Sequence, residues 1–264
     1  FREIEHAYRD MSAKIDSRAS LHFLPISAKY GDNVVEASAR MPWYHGETLM
    51  QLLENVPIVH KQGDPDHPLR FPVQYVIRPI SDKFPDYRAY AGRLSGGVMC
   101  AGQAVRVLPS GFETRVKAVM QAEKSLETAH TPESVSVLLE DDIDISRGDM
   151  LVDTASAQPL VGQQLKMMVC WFNAQPMQLR RRYILRGSVS EVIGMVQGID
   201  YRVDMHTLER VTGDTELKMN DIAMITVRTA SPLVYDRYAD NRTTGSLVFI
   251  DADSFETVGG GMIQ

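Results

Sequence analysis

The stretch Leu21–Val34, LHFLPISAKYGDNV, decides how the rest of the chain is placed. Leu21, Phe23 and Leu24 form a short apolar run that stops at Pro25. Ser27-Ala28-Lys29 then leads into the turn-forming Gly31-Asp32-Asn33, so the pattern predicts a buried strand that delivers a loop. Upstream, Phe1, Ile4, Tyr8, Met11 and Ile15 recur at helical spacing between charged residues, which predicts an amphipathic helix packing one face on a sheet. Downstream, a second helix is expected from about Glu47 to Asn55, with Leu49, Leu52, Leu53 and Val56 on one side. Helix, strand, loop and helix in that order read as a small α/β segment.

A strand ending in Ser-Ala-Lys resembles the last guanine-recognition motif of GTP-binding domains. In such domains the backbone N–H of the small residue, here Ala28, donates to the guanine carbonyl oxygen, and adenine, with an amino group there, is rejected. Three residues are weak alone, but the run continues GDNVVEASARMPWYHGETLMQLLENV. Ser27, Ala28, Gly31 to Val35, Met41 to Tyr44, Gly46, Thr48 and Leu49 fit a pattern SA-x-x-GDNVV followed by MPWY-x-G-x-TL. This resembles the large, GTPase subunit of sulfate adenylyltransferase, within the translation-factor-type GTPases. The resemblance implies that Ser27, Ala28 and Lys29 bind guanine, with GTP as the nucleotide and Mg2+ in the intact protein. Lys29 stands where many members carry leucine; its aliphatic stem can still cover the base.

A phosphate-cradling G-x-x-x-x-G-K-[ST], a D-x-x-G and an N-K-x-D are all absent from the 264 residues, and the helical pattern begins at Phe1 with no preceding methionine. The expectation is therefore the carboxyl-terminal part of a P-loop GTPase domain followed by further domains, with magnesium ligands elsewhere, no catalytic residue here, and no GTPase activity of this piece alone.

At 44% hydrophobic and 23% charged residues the chain has the composition of a folded globular protein. A formal charge of −6 gives no global electrostatic reason to bind nucleic acid or an anionic membrane. Cys100 and Cys170 are far apart and outside any C-x-x-C, so neither a disulfide framework nor a zinc site is suggested, and a reducing, cytoplasmic setting is expected. No apolar run approaches the ~18 residues of a membrane span.

Residues His60 to Pro68, HKQGDPDHP, read as an extended connector, and the expected division is 1–58, a linker at 59–69, then 70–156 and 157–264. Asp64, Asp66 and His67 in that linker read as solvated surface rather than metal ligands. From Phe71 the period changes to 2, with Phe71, Val73, Tyr75 and Ile77 on one side and Gln74 and Arg78 on the other. Strands are expected at Tyr87 to Leu94, Ala104 to Leu108, Thr114 to Met120, Ser134 to Leu139 and Met150 to Val152, then at Gln164 to Phe172, Tyr183 to Leu185, Ser188 to Val196, Ile199 to Met205, Ile222 to Thr229, Gly245 to Ile250 and Phe255 to Met262. Many short strands with no helical pattern between them argue for closed barrels, because closure removes exposed edges. The fold class is thus mainly β, with two consecutive antiparallel β-barrels after a small α/β remnant. FPVQYVIRP, YRAYAGRLSGGV and DIDISRGDMLV resemble the second domain of translation-type GTPases; YRVDMHTLERV, RYADNRTTGSLVFID and TVGGGMI resemble the last domain of the sulfate-activating branch.

Other features carry competing readings. Arg147-Gly148-Asp149 reads as a turn with a glycine at positive φ rather than as an adhesion tripeptide. Glu140, Asp141, Asp142 and Asp144 alternate with Ile143 and Ile145, which favours a strand with one wet face over a cation cluster. Arg180-Arg181-Arg182 could contact phosphates, but reads better as a solvated start to a strand or a protein contact. Ser81 to Pro85, SDKFP, and Gln121 to Ser134 are loops unlike those of the family.

The resemblance implies a partner subunit that transfers the adenylyl group of ATP to sulfate, with GTP hydrolysis coupled to that unfavourable step. The alternative is an elongation-factor-like fragment binding transfer RNA or the ribosome; MPWYHGETL and DIDISRGDML argue against it.

Overall fold

The structure is a computed structural model that describes residues 1–14, 19–57, 67–79 and 87–264. Most of the expected linker, with Asp64 and Asp66, lies outside the described residues, as do Ile15 and the SDKFP segment. The chain divides into two compact units, Phe1–Val59 with His206–Leu208, and His60–Met205 with Glu209–Gln264.

In the first unit, α1 spans Arg2–Lys14 and α2 spans Leu49–Asn55. Thr48 caps α2 with a capping box: its hydroxyl accepts from the Gln51 N–H, and the Gln51 side chain accepts from the Thr48 N–H at 3.0 Å. The expected strand at Leu21 does not form. Leu21, Phe23 and Leu24 are half-buried, but no described strand lies beside them to complete a ladder. The expected packing of α1 on a sheet is also absent among the described residues, where Ile4, Tyr8 and Met11 are exposed.

The second unit holds two barrels. The first is built from β1 (Phe71–Ile77), β2 (Ala89–Arg93), β3 (Val98–Cys100), β4 (Ala104–Leu108), β5 (Glu113–Gln121), β6 (Lys124–Leu126), β7 (Thr128–His130), β8 (Ser134–Leu139) and β9 (Met150–Asp153). The order β4-β9-β1-β2-β8-β5 closes when β5 pairs back onto β4, and every pairing is antiparallel. Phe71, Val73, Tyr90, Val107, Val119 and Val137 meet inside it.

Two details depart from the expectation. A register shift between Val73 and Tyr75 in the β1–β2 pairing turns the pleat, so Tyr75 faces solvent and Val76 packs on the core. The acidic stretch after β8 keeps its wet face, with Ile145 buried and Asp142 and Asp144 exposed, but it is not a strand. The Ile143 carbonyl accepts from Tyr90 Oη at 2.8 Å and Arg88 Nη1 at 2.9 Å, so side chains satisfy it where a ladder would. Gly148 has φ +102°, the turn expected of Arg147-Gly148-Asp149. Within 121–134, β6 and β7 form where loops were expected.

The second barrel contains β10 (Leu160–Trp171), β11 (Met177–Gln178), β12 (Arg182–Arg186), β13 (Glu191–Val203), β14 (Arg210–Val211), β15 (Glu216–Leu217), β16 (Ile222–Tyr235), β17 (Ser246–Asp251) and β18 (Thr257–Ile263). The order β12-β17-β18-β10-β16-β13 closes through the β12–β13 pairing. The two segments expected at Ser188–Val196 and Ile199–Met205 are one strand, β13, carried through two register shifts. Trp171, Tyr183 and Phe249 pack edge-to-face at the core, with centroids 5.5–6.4 Å apart. Gly261 admits this packing: a Cβ there would stand 2.9 Å from Met167 Sδ.

The barrels are joined by a buried polar seam. Arg70, 3% exposed, donates to Asp236 from Nε at 2.9 Å and Nη2 at 2.8 Å, and Thr244 Oγ1 donates to the same carboxylate at 2.6 Å. Asn241 Nδ2 donates to the Ser95 carbonyl at 2.7 Å. Val234 packs against Leu108, Met150 and Val152 beside these bonds.

Candidate nucleotide-binding loop

Ser27, Ala28 and Lys29 lie together on a tight turn. The Ser27 N–H donates to the Asp32 carbonyl at 3.2 Å, and the Ser27 carbonyl accepts the N–H of Tyr30 at 3.2 Å and of Gly31 at 2.8 Å. Gly31 takes φ +75°, which closes the turn without a Cβ clash. Ala28 and Lys29 stand at its exposed apex, and among the described residues no partner takes the N–H of Ala28. An exposed turn with a free N–H beside a methyl side chain offers one hydrogen bond to a flat carbonyl-bearing ring.

The turn is braced from outside the three-residue motif. Ser38 Oγ donates to Asp32 Oδ1 at 2.6 Å, and Arg40 pairs with the same carboxylate. The Ser38 hydroxyl holds the Asp32 carboxyl below its ordinary value of 3.8; burial opposes this and Arg40 reinforces it. The Arg40 guanidinium lies 4.1 Å from the centre of the Tyr30 ring and Lys29 Nζ 5.2 Å from it, so the Lys29 stem is drawn along the turn. Asn33, at φ 53° and 2% exposed, donates from Nδ2 to the Pro25 carbonyl at 2.8 Å and accepts the Ser38 N–H at 2.8 Å. Sequence reading placed Asp32 and Asn33 in the turn without naming their bonds, and left Ser38 and Arg40 without roles. The signal available was an asparagine in a turn followed five residues later by serine.

No group of three or more His, Cys, Asp or Glu side chains among the described residues is placed to hold a metal ion. Of the arginine run, Arg181 is committed to Asp251 at 2.7 Å and Asp253 at 3.2 Å, a contact within the protein, while Arg182 opens β12. Arg181, Asp251 and Asp253 line a 280 Å³ pocket beside Trp171. A second, shallower groove of 620 Å³ runs over Gly260, Gly261 and Met262 between Arg186 and Arg242. No helix among the described residues is long and apolar enough to cross a membrane.

A solved structure of Sup35 complexed with GMPPNP superposes over 90% of the chain and 57% of its own length, with TM-score 0.69 and 16% identity. Residues 164–264, most of the second barrel, match the family described as GTP-eEF1A C-terminal domain-like. The paired barrels thus have the fold seen in that protein.

The sequence relatives are more specific. The chain is 40% identical over its full length to the bifunctional enzyme CysN/CysC of Mycobacterium tuberculosis (strain CDC 1551 / Oshkosh), covering 42% of that protein. It is 39% identical to sulfate adenylyltransferase subunit 1 of Laribacter hongkongensis (strain HLHK9), covering 53% of it, and 38% identical to that of Teredinibacter turnerae (strain ATCC 39867 / T7901), covering 54%. The chain is a homologue of sulfate adenylyltransferase subunit 1 along its whole length, and it spans about half the length of these relatives.

Proposed function

We propose that this chain is the carboxyl-terminal part of the GTPase subunit of a sulfate adenylyltransferase, which couples GTP hydrolysis to adenylyl transfer from ATP to sulfate in the cytoplasm. The observation that carries this reading is the Ala28 N–H at the apex of a braced turn, without a partner among the described residues, in a chain homologous throughout to subunit 1. Residues 1–58 then complete a GTP-binding domain, 59–69 link it to the barrels, and 70–156 and 157–264 are the two barrel domains. Ser27, Ala28 and Lys29 recognise guanine, with the Ala28 N–H donating to the base carbonyl. The chemistry of hydrolysis is carried by phosphate-binding elements that this sequence does not contain, so the chain alone has no GTPase activity above background. The barrels relay nucleotide state to a separate adenylyl-transferring subunit, which requires different contacts in the two states.

In the full-length protein, Ala28→Val crowds the ring and weakens GTP binding by roughly 1 kcal/mol or more, the order of overpacking a tight site; isothermal titration that finds wild-type affinity would remove the guanine assignment. Mixing the protein with an adenylyl-transferring subunit should make adenosine phosphosulfate formation faster with GTP than without. Co-purification with ribosomes or transfer RNA and no such acceleration would replace this reading with that of a translation factor.

A further inference from the structure

We infer that Asn33 is a positioning residue for guanine selection, fixing the direction in which the Ala28 N–H points; the inference rests on the guanine-loop reading above. A donor selects a base carbonyl over an amino group only if it is held at one angle, and Ala28 sits on an exposed turn with no side chain able to hold it. The turn's own bonds, Ser27 to Asp32 and Gly31 to Ser27, fix its shape but not its orientation on the protein.

Asn33 supplies the orientation. Its Nδ2 donates to the Pro25 carbonyl at 2.8 Å, two residues before the motif, and lies 3.4 Å from Met41 Sδ. Its Oδ1 accepts the Ser38 N–H at 2.8 Å, and its own carbonyl accepts the N–H of Leu49, the first residue of α2, at 3.0 Å. One buried side chain thereby ties the chain entering the turn to the chain leaving it, and its backbone ties both to a helix. The position demands this residue: φ 53° suits asparagine and glycine, glycine has no side chain to make the bonds, and aspartate would set a carboxylate against the Pro25 carbonyl.

A role in orientation separates from a role in folding by comparing two nucleotides. GTP has the carbonyl that Ala28 would meet; 2-aminopurine riboside triphosphate keeps the ring, the 2-amino group and the phosphates but lacks that oxygen and the N1 proton. Because the N1 difference is the same in wild type and variant, the change in the ratio of the two affinities reports on the carbonyl contact. The full-length wild-type protein should bind GTP at least about tenfold more tightly, because a site built for a hydrogen bond rejects the analogue that cannot form it. In Asn33→Gly, which keeps the backbone conformation, GTP affinity should fall about tenfold, the order of one hydrogen bond, with 2-aminopurine affinity unchanged. Equal loss for both nucleotides, or none for GTP, overturns the inference. Should Asn33→Gly not fold, as judged by circular dichroism, Asn33→Asp is read by the same ratio, and failure of both to fold assigns Asn33 to folding alone and overturns it. Wild-type protein that binds the two nucleotides equally removes the guanine-loop reading itself, a different result from a variant that keeps wild-type discrimination.

Discussion

Ile4, Tyr8 and Met11 of α1 are 72%, 47% and 41% exposed, whereas Ile225, Tyr183 and Met167 of the second barrel are 0%, 1% and 0% exposed. The residue types are the same and the surroundings differ. A six-stranded ring encloses every inward side chain with its own strands, so it needs no other layer. The helical region has no such ring: Tyr8 meets Phe23 edge-on at 5.8 Å and Phe1 meets Trp43 at 5.4 Å, yet Ile4, Tyr8 and Met11 stay exposed. Further order comes from polar contacts, namely the Asn33 bonds, the Asp32–Arg40 pair and the Thr48 cap. Burial proportional to apolar area stabilises the barrels, while single hydrogen bonds of about 1 kcal/mol each stabilise the loop region.

That difference should be largest in amide hydrogen exchange. In this chain by itself, β10, β13 and β16 should exchange only through global unfolding, and α1 through local fraying with protection near zero. Protection in α1 equal to that of β16 would break the comparison. Next in size is the seam between the barrels: Asp236→Ala leaves Arg70 charged, buried and unpaired, at a cost of about 3–5 kcal/mol in chemical denaturation. The double variant Arg70→Met with Asp236→Leu should recover most of that loss. An unchanged Asp236→Ala midpoint would show that water reaches the seam.

A smaller effect belongs to the loop region. Thr48→Ala removes the cap of α2 and should cost about 1 kcal/mol, read as faster exchange at Leu49 to Leu52 with the barrel midpoint unmoved. Movement of both would mean that the regions are not energetically separate. Smallest is a pH effect at Asp251. The backbone N–H of Ser254 is the main cause holding its carboxyl below the ordinary 3.8; burial opposes this, and the Asp253 N–H and Arg181 reinforce it. A depressed carboxylate stabilises the fold above its unfolded value, and that contribution is lost as pH falls through its folded value. The second barrel should therefore weaken below about pH 3.8, and Asp251→Asn should flatten that dependence.

Alternation of apolar residues made the barrel strands legible, because a period of 2 with one buried face admits few other structures. Ala104–Leu108 and Ser134–Leu139 carry the expected bounds. The Ser-Ala-Lys turn was equally legible as a loop, since glycine, aspartate and asparagine restrict the backbone locally.

What tertiary structure alone decided are the places where one group meets another far along the chain. Periodicity put Tyr75 inside; a bulge in the pairing of β1 with β2 put it outside, and no residue of β1 by itself specifies that slip. The Ile143 carbonyl is taken by Arg88 and Tyr90, which ended a strand that its own sequence favours. Arg70 and Asp236 are 166 residues apart, and only the docking of two closed barrels makes them partners. The sequence carries each strand's local preference, because sterics and side-chain alternation act between neighbours. Register, seam and the bracing of Ala28 by Asn33 depend on groups brought together in space, and these are settled only when every buried donor and acceptor finds its partner at once.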